Sequence, residues 1–198
     1  MEDHFETGPD FAARLDEKDP LAPLRDEFYI AEPDLIYLDG NSLGRLPHAA
    51  RRRVIELVEK EWGEALIRGW GESWYEAPRR IGDKIGRLLG AAPGQTLAGE
   101  STTTNLYKLA VSALRMRPGR AKVVSDALNF PTDLYMLQGA VRTPGCDHRI
   151  ELLDSPDGIE MDTGTILEAI DEDTALVTFS HPTFKSGYLY DVEPITPV

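Results

Sequence analysis

The sequence predicts an α/β fold, a mostly parallel sheet with helices on both faces that is left incomplete and is preceded by an N-terminal arm. Two observations predict it. From about residue 97 onward the short β-branched runs "AKVVSD", "HRIELLD" and "TALVTFS" alternate with stretches of helical spacing, which is the signature of βαβ units. The alternation stops at "YDVEPITPV", where another helix would begin, so the sheet is expected to be unfinished and the chain to be a fragment.

The elements follow in order. In "DFAARLDEKDPLAPLRDEFYI", Asp10 is the expected N-cap of short helical pieces broken at Pro20 and Pro23, which reads as an arm. "DLIYLDGNSLG" predicts a brief strand over Leu35 to Leu38 that runs into a turn at Asp39-Gly40-Asn41. From Pro47 the spacing of Val54, Leu57, Val58 and Trp62 is helical, and a second helix after Trp74 carries Ile81, Ile85, Leu88 and Leu89 on one face before stopping near Gly90. The clearest helix places Leu106, Leu109, Ala110, Ala113 and Leu114 on one stripe and ends before Pro118-Gly119. Further helices are expected from about Pro131 to Val141 and from about Thr165 to Ile170.

Composition narrows the function classes. At 198 residues, 41% hydrophobic and 28% charged, the chain can bury a core. Its 34 acidic residues against 21 basic ones give a net charge of -13, which repels nucleic acid and anionic lipid; neither is an expected partner. The one basic run, Arg51 to Arg53, stands beside Glu56 and Glu59 and reads as a solvated helix face. Cys146 is the only cysteine, so no internal disulfide or multi-cysteine metal site can form, and no metal is expected. No apolar run reaches the roughly 18 residues of a membrane span. The start "MEDHFETGPD" is acidic where a secretory signal is basic, and a cytoplasmic protein is expected.

Four stretches carry possible chemistry. "ESTTTNLYKLAV" sets Ser101 and three threonines at the opening of the clearest helix, where unpaired backbone N–H groups and the positive end of the helix dipole suit a phosphate. A plain Ser101 or Thr102 cap explains the same residues. In "SDALNFPTDLY", the proline holds Phe130 extended, so its ring can face a cleft, and Asp133 sits near a helix start; a hydrophobic staple and a cap are the simpler roles. "TFSHPTFKSGYLYD" adds Ser180, His181 and Lys185 after a strand, the position where open α/β sheets bind ligands. His181 alone has no triad or metal spacing around it and reads as a structural hydrogen-bonder. "DGNSLG" supplies Asn41 and Ser42 in a tight turn.

In combination and in this order, "LDEKDPLAPLRDEF", "IYLDGNSLGRLP", "EWGEALIRGW", "STTTNLYKL", "NFPTDLYMLQG" and "SHPTFKSGYLYD" resemble the kynureninase family. The resemblance runs from about Leu15 to the end and is most specific in "LDGNSLG" together with "NFPTD". It implies an aminotransferase-like, fold type I enzyme dependent on pyridoxal 5′-phosphate, with residues 1–48 as the arm and a small-domain segment and 49–198 as part of the cofactor-binding large domain. It implies cofactor contacts from Thr102 and Thr103 on the phosphate, from Phe130 stacked on the pyridine ring, from Pro131, Thr132 and Asp133, and from Ser180. Asn41, Ser42 and Trp70 match positions near the substrate. The implied reaction is hydrolysis of L-kynurenine, and possibly of its 3-hydroxy form, to anthranilate and L-alanine in tryptophan catabolism, by a homodimer.

The resemblance also implies groups that this sequence does not supply. The Schiff-base lysine, the acidic partner of the pyridine nitrogen and the arginine for the substrate carboxylate are expected beyond Val198. No catalytic residue is therefore assigned here, Lys185 is not expected to replace the lysine, and the isolated chain is expected to be inactive. Another fold type I enzyme of the cysteine desulfurase kind, or a non-catalytic relic or binding module, are the competing readings.

Overall fold

The computed structural model describes residues 7–143, 145 and 147–196. Cys146 and the acidic start of the chain lie outside the described residues. The chain forms two compact units that divide between Thr96 and Leu97, so the boundary expected from the sequence at 48/49 falls inside the first of them.

In the first unit, α1 (Pro9–Lys18) begins after Gly8, with Pro9 at its first position and Asp10 in the first turn. Asp10 is therefore not the cap. Pro9 fixes the helical φ one residue earlier, and Asp10 instead meets the positive helix end. A 3-10 turn follows at Ala22–Glu27. The expected strand at Leu35 to Leu38 does not form: Ile36 and Leu38 are more than four-fifths exposed, and the run is spanned by Arg45 Nη2 to Leu35 O (3.3 Å) and Tyr37 Oη to Leu43 O (2.6 Å). A strand needs a partner ladder, and the only described backbone pairing nearby is the single antiparallel bridge between Phe28 and Pro47.

Helix α2 (His48–Glu56) continues into a wider π-helical stretch, Leu57–Glu64, where the N–H of Ala65 reaches back five residues to Lys60 O at 2.9 Å. The wider turn takes Leu57, Val58 and Trp62 off the single stripe that a 3.6-residue period predicts. The basic run lies on this helix, where Arg53 pairs with Glu56 and Glu61. After short turns at Leu66–Arg68 and Trp70–Trp74, α3 (Ala77–Leu88) buries Gly82 and Gly86. A Cβ on Gly86 would stand 2.8 Å from Thr96 Oγ1, so this position has room for glycine alone unless Thr96 shifts.

The second unit holds the sheet. Its three parallel strands, β1 (Lys122–Asp126), β2 (Arg149–Leu153) and β3 (Thr174–Val177), lie in the order β2-β1-β3, with Val123 opposite both Ile150 and Leu176. Central β1 is buried at every residue, as expected for a strand covered on both faces. On one face, Ala110 and Leu114 of α4 (Thr102–Met116) and Met136, Leu137 and Ala140 of α5 (Pro131–Val141) pack with Val123. On the other, Ile166 of α6 (Thr163–Ala169) joins Leu128, Met161, Tyr190 and Ile195, with Leu153 and Val177 against them. Val123 and Val177 thus serve opposite cores, as the two-residue alternation of a strand requires.

Two polar devices fix the unit. The buried Lys122 ammonium donates to Ala169 O (2.7 Å) and Asp171 Oδ2 (2.7 Å) and stands 3.4 Å from Glu151, so it ties the end of α6 to the start of the sheet. The Asp171 bond holds its pKa above the ordinary lysine value. Asp162 caps α6, accepting from the Thr165 N–H at 3.0 Å. Asp162→Ala is expected to lower stability by about 1 kcal/mol. Urea unfolding checks this, with Asp162→Asn, whose amide oxygen can still accept from the Thr165 N–H, expected to retain most of the wild-type stability.

Candidate functional site

The loops that leave the carboxyl ends of β1 and β3 meet at one side chain, Asn129. The loop after β1 begins at Asp126, whose carboxylate accepts from the Leu128 N–H (2.8 Å) and from the Tyr190 hydroxyl (2.9 Å). Burial pushes the pKa of Asp126 up, and the bonds from Tyr190, Leu128 and Asn129 draw it back. Asn129, 3% exposed, follows. Its Oδ1 accepts from the Phe130 N–H (2.9 Å) and from Ser180 Oγ (2.7 Å), while its Nδ2 donates to Ser125 Oγ (3.2 Å). The orientation of this amide is fixed chemically: the Phe130 N–H can only donate, so the atom facing it must be the oxygen. Ser180 consequently spends its one hydrogen on Asn129 and presents only acceptor lone pairs elsewhere.

Phe130 stands at the N-cap of α5 with extended φ −63° and ψ 134°, as the following proline demands. Its ring is 44% exposed and meets the edge of Phe184, with centroids 4.9 Å apart at 78°. Pro131 and Thr132 form the exposed first turn of α5. Asp133 does not cap this helix: α5 has no side-chain cap bond, and Asp133 engages Phe130 O through its own backbone N–H (2.9 Å). Its half-buried carboxyl is pushed up in pKa by desolvation alone. A cleft of roughly 310 Å³ opens beside this turn, with Asn129, Pro131, Tyr135, Phe184 and Lys185 among its walls. The Lys185 ammonium lies over the Phe184 ring at 5.6 Å, and His181 Nε2 donates to Tyr190 O at 3.1 Å, so His181 has the structural role its isolation suggested.

Thr102 and Thr103 occupy the exposed opening of α4. Ser101 is the cap, accepting from the Thr104 N–H at 3.2 Å, and Thr104 Oγ1 closes onto Ser101 Oγ at 3.1 Å. The third threonine thus completes the cap, leaving the first two exposed at the helix opening. Glu100 enters the helix with a left-handed φ of 40°, held by an ion pair with Lys108, and Asn105 Nδ2 donates to Gly99 O at 2.8 Å. Lys108 thereby offsets the one carboxylate beside this anion-favouring helix end.

The remaining sequence-derived residues belong to the first unit. Asn41 and Ser42 lie in an exposed turn closed by the Ser42 and Leu43 N–H groups on Asp39 O (3.1 and 3.2 Å). Trp70, 55% exposed, stacks edge-on with Trp74 at 5.8 Å, and Trp74 Nε1 donates to Glu61 Oε2 at 2.8 Å. Gly69 before it is buried, and a Cβ there would stand 3.1 Å from both Glu61 O and the Trp74 ring, so a larger residue fits the "RGW" bend only if these neighbours give by a few tenths of an ångström. Asn129, Asp126 and Tyr190 received no role from sequence reasoning. Asn129 directly precedes the Phe-Pro pair, yet its partners lie up to 51 residues away and leave no local pattern.

Fold and site define the class: a parallel α/β sheet unit whose candidate site residues stand at a helix opening and at the loops following β1 and β3. No protein-family profile matches the chain. Among curated proteins it is similar to the kynureninase of Burkholderia pseudomallei strain 1106a, 40% identical over 190 residues that cover 93% of this chain and 44% of that protein. It is likewise similar to the kynureninases of Burkholderia mallei strain SAVP1 (39%, with the same coverage) and of Pseudomonas fluorescens (38% over 187 residues, 92% of this chain and 43% of that protein). The chain is homologous to the amino-terminal portion of these kynureninases and spans less than half their length.

Proposed function

We propose that this chain is the amino-terminal part of a kynureninase whose large domain has the fold type I architecture, and that it contributes the phosphate seat and one ring wall of a pyridoxal 5′-phosphate site. The identity of about 40% across 93% of the chain carries this reading. The residues present suit such a group. Thr102 and Thr103 offer amides and hydroxyls to a phosphate dianion at the positive end of α4. The exposed Phe130 ring suits an aromatic ring face, and the half-buried Asp133 carboxyl, raised by desolvation, gains from a polar ligand contact. Ser180, whose hydrogen is committed to Asn129, suits a ligand donor such as a ring hydroxyl and not the phosphate.

In this reading the bound cofactor supplies an electron sink while water cleaves the Cβ–Cγ bond of L-kynurenine, giving anthranilate and L-alanine. The Asn41-Ser42 turn and Trp70 contribute to the substrate's amino-acid and aromatic ends. The lysine, the acidic residue and the arginine that the reaction needs come from the portion of the enzyme that this chain does not span, the complete protein works as a cytoplasmic homodimer, and residues 1–198 alone do not turn over substrate. The test is expression of the complete coding sequence with pyridoxal 5′-phosphate, followed by assay with L-kynurenine and with cysteine. Release of anthranilate and alanine is the expected result. Sulfide release from cysteine without kynurenine cleavage, or no turnover of either, overturns it.

A further inference from the structure

We propose that Asn129 is the positioning residue of this site: its single carboxamide locks the Phe130 backbone, from which the ring projects, and the Ser180 hydroxyl to one another and to the end of β1. The inference rests on the functional reading above and adds a residue to it. Phe130 and Ser180 are 50 residues apart in sequence and lie on two loops, and loops alone hold a geometry poorly. Asn129 removes that freedom with three bonds. Oδ1 fixes the Phe130 backbone (2.9 Å) and takes the Ser180 hydrogen (2.7 Å), and Nδ2 anchors the amide on Ser125 (3.2 Å), which is itself 2% exposed within β1. Asn129 is nearly fully buried and acts through its neighbours. Because Oδ1 already accepts twice, rotation of the amide would break both bonds and set Nδ2 against the Phe130 N–H, so the arrangement has one satisfied state.

On the complete polypeptide that carries these residues, titrated with pyridoxal 5′-phosphate, Asn129→Leu is expected to weaken cofactor binding about tenfold and to diminish the induced circular dichroism of the bound chromophore at saturation. Ser125→Ala removes only the anchor of the amide, and is expected to move both readouts in the same direction by about threefold. Ile166→Val, a core change in the other cluster that lowers thermal stability without touching Asn129, is expected to move neither. Unchanged affinity and dichroism in folded Asn129→Leu overturn this inference and leave the functional reading standing. If Asn129→Leu does not fold, unchanged readouts in Ser125→Ala overturn it instead. A wild-type protein that binds no pyridoxal 5′-phosphate overturns both.

Discussion

Leu137→Ala is expected to destabilise the sheet unit by about 3 kcal/mol, the middle of the range for emptying a leucine site in a packed core. Leu137 is 1% exposed and lies in the cluster formed by Ala110, Leu114, Val123, Met136 and Ala140, which are fixed to a strand and two helices and cannot collapse inward. A loss of that size is a large part of the roughly 5–15 kcal/mol that holds a domain folded. The matched surface change is Leu109→Ala, at a residue that helical spacing alone would place on the same buried stripe but that is 68% exposed. It is expected to stay within about 0.5 kcal/mol. Urea unfolding of the two variants checks the pair, and a Leu137→Ala loss below that of Leu109→Ala would show that the core assignment is wrong. The effect reaches the site as well, since α5 carries the Phe130 to Asp133 turn at its opening.

Much of this architecture was readable from spacing. The bounds of α5 follow from a proline at the start and an apolar run of about three turns, and β1 follows from a β-branched pair set between glycine-containing and asparagine-containing turns. These signals are local, and local physics decides them. The run at Leu35 to Leu38 has an equally good strand pattern, but pattern supplies only half of a strand, and no ladder partner is present for it among the described residues. The helix expected from Pro47 is present, but its second half departs from the expected period: the apolar spacing fits a 3.6-residue turn, while the backbone over 57–64 adopts a wider one, and Glu61 there accepts from Trp74. Helix α6 starts two residues before the Thr165 that spacing suggests, because its cap Asp162 stands among other acidic and turn-forming residues that give the same signal.

The candidate site divides in the same way. Thr102, Thr103, Phe130 and Asp133 are marked by a helix opening or a proline, both visible within a few residues. The groups that organise them are not. Lys122 carries no local mark of burial, yet it is buried, and Asp171, 49 residues on, is brought against it by the parallel pairing of β1 and β3. Asn129 and Ser180 meet for the same topological reason. A hydrogen bond between loops of two adjacent strands is a product of sheet order, and sheet order is what a single sequence specifies least directly.

Tyr190→Phe is expected to cost about 2 kcal/mol near neutral pH, because it deletes a partner and leaves a buried charged acceptor behind. Both residues of the pair are almost fully enclosed, Asp126 at 2% and Tyr190 at 3% exposure, joined at 2.9 Å. The pH dependence follows from the direction of the shift. Burial raises the Asp126 pKa above its ordinary value, so the stability linked to its titration is fully present below the unfolded pKa and is lost as pH rises through the folded one. The Tyr190 bond opposes that rise, and its removal lifts the folded pKa further. The deficit of Tyr190→Phe is therefore complete above the raised pKa and shrinks as acid protonates Asp126, since a neutral carboxyl loses less with the missing hydroxyl. Unfolding midpoints followed from mildly alkaline buffer downward in pH should show the gap to wild type closing on acidification, and a gap that widens would mean that Asp126 is not the acceptor that matters. The same bond fastens the 188–192 stretch to the end of β1, three residues before Asn129, so the variant is also expected to loosen the frame on which Ser180 and Phe130 are held.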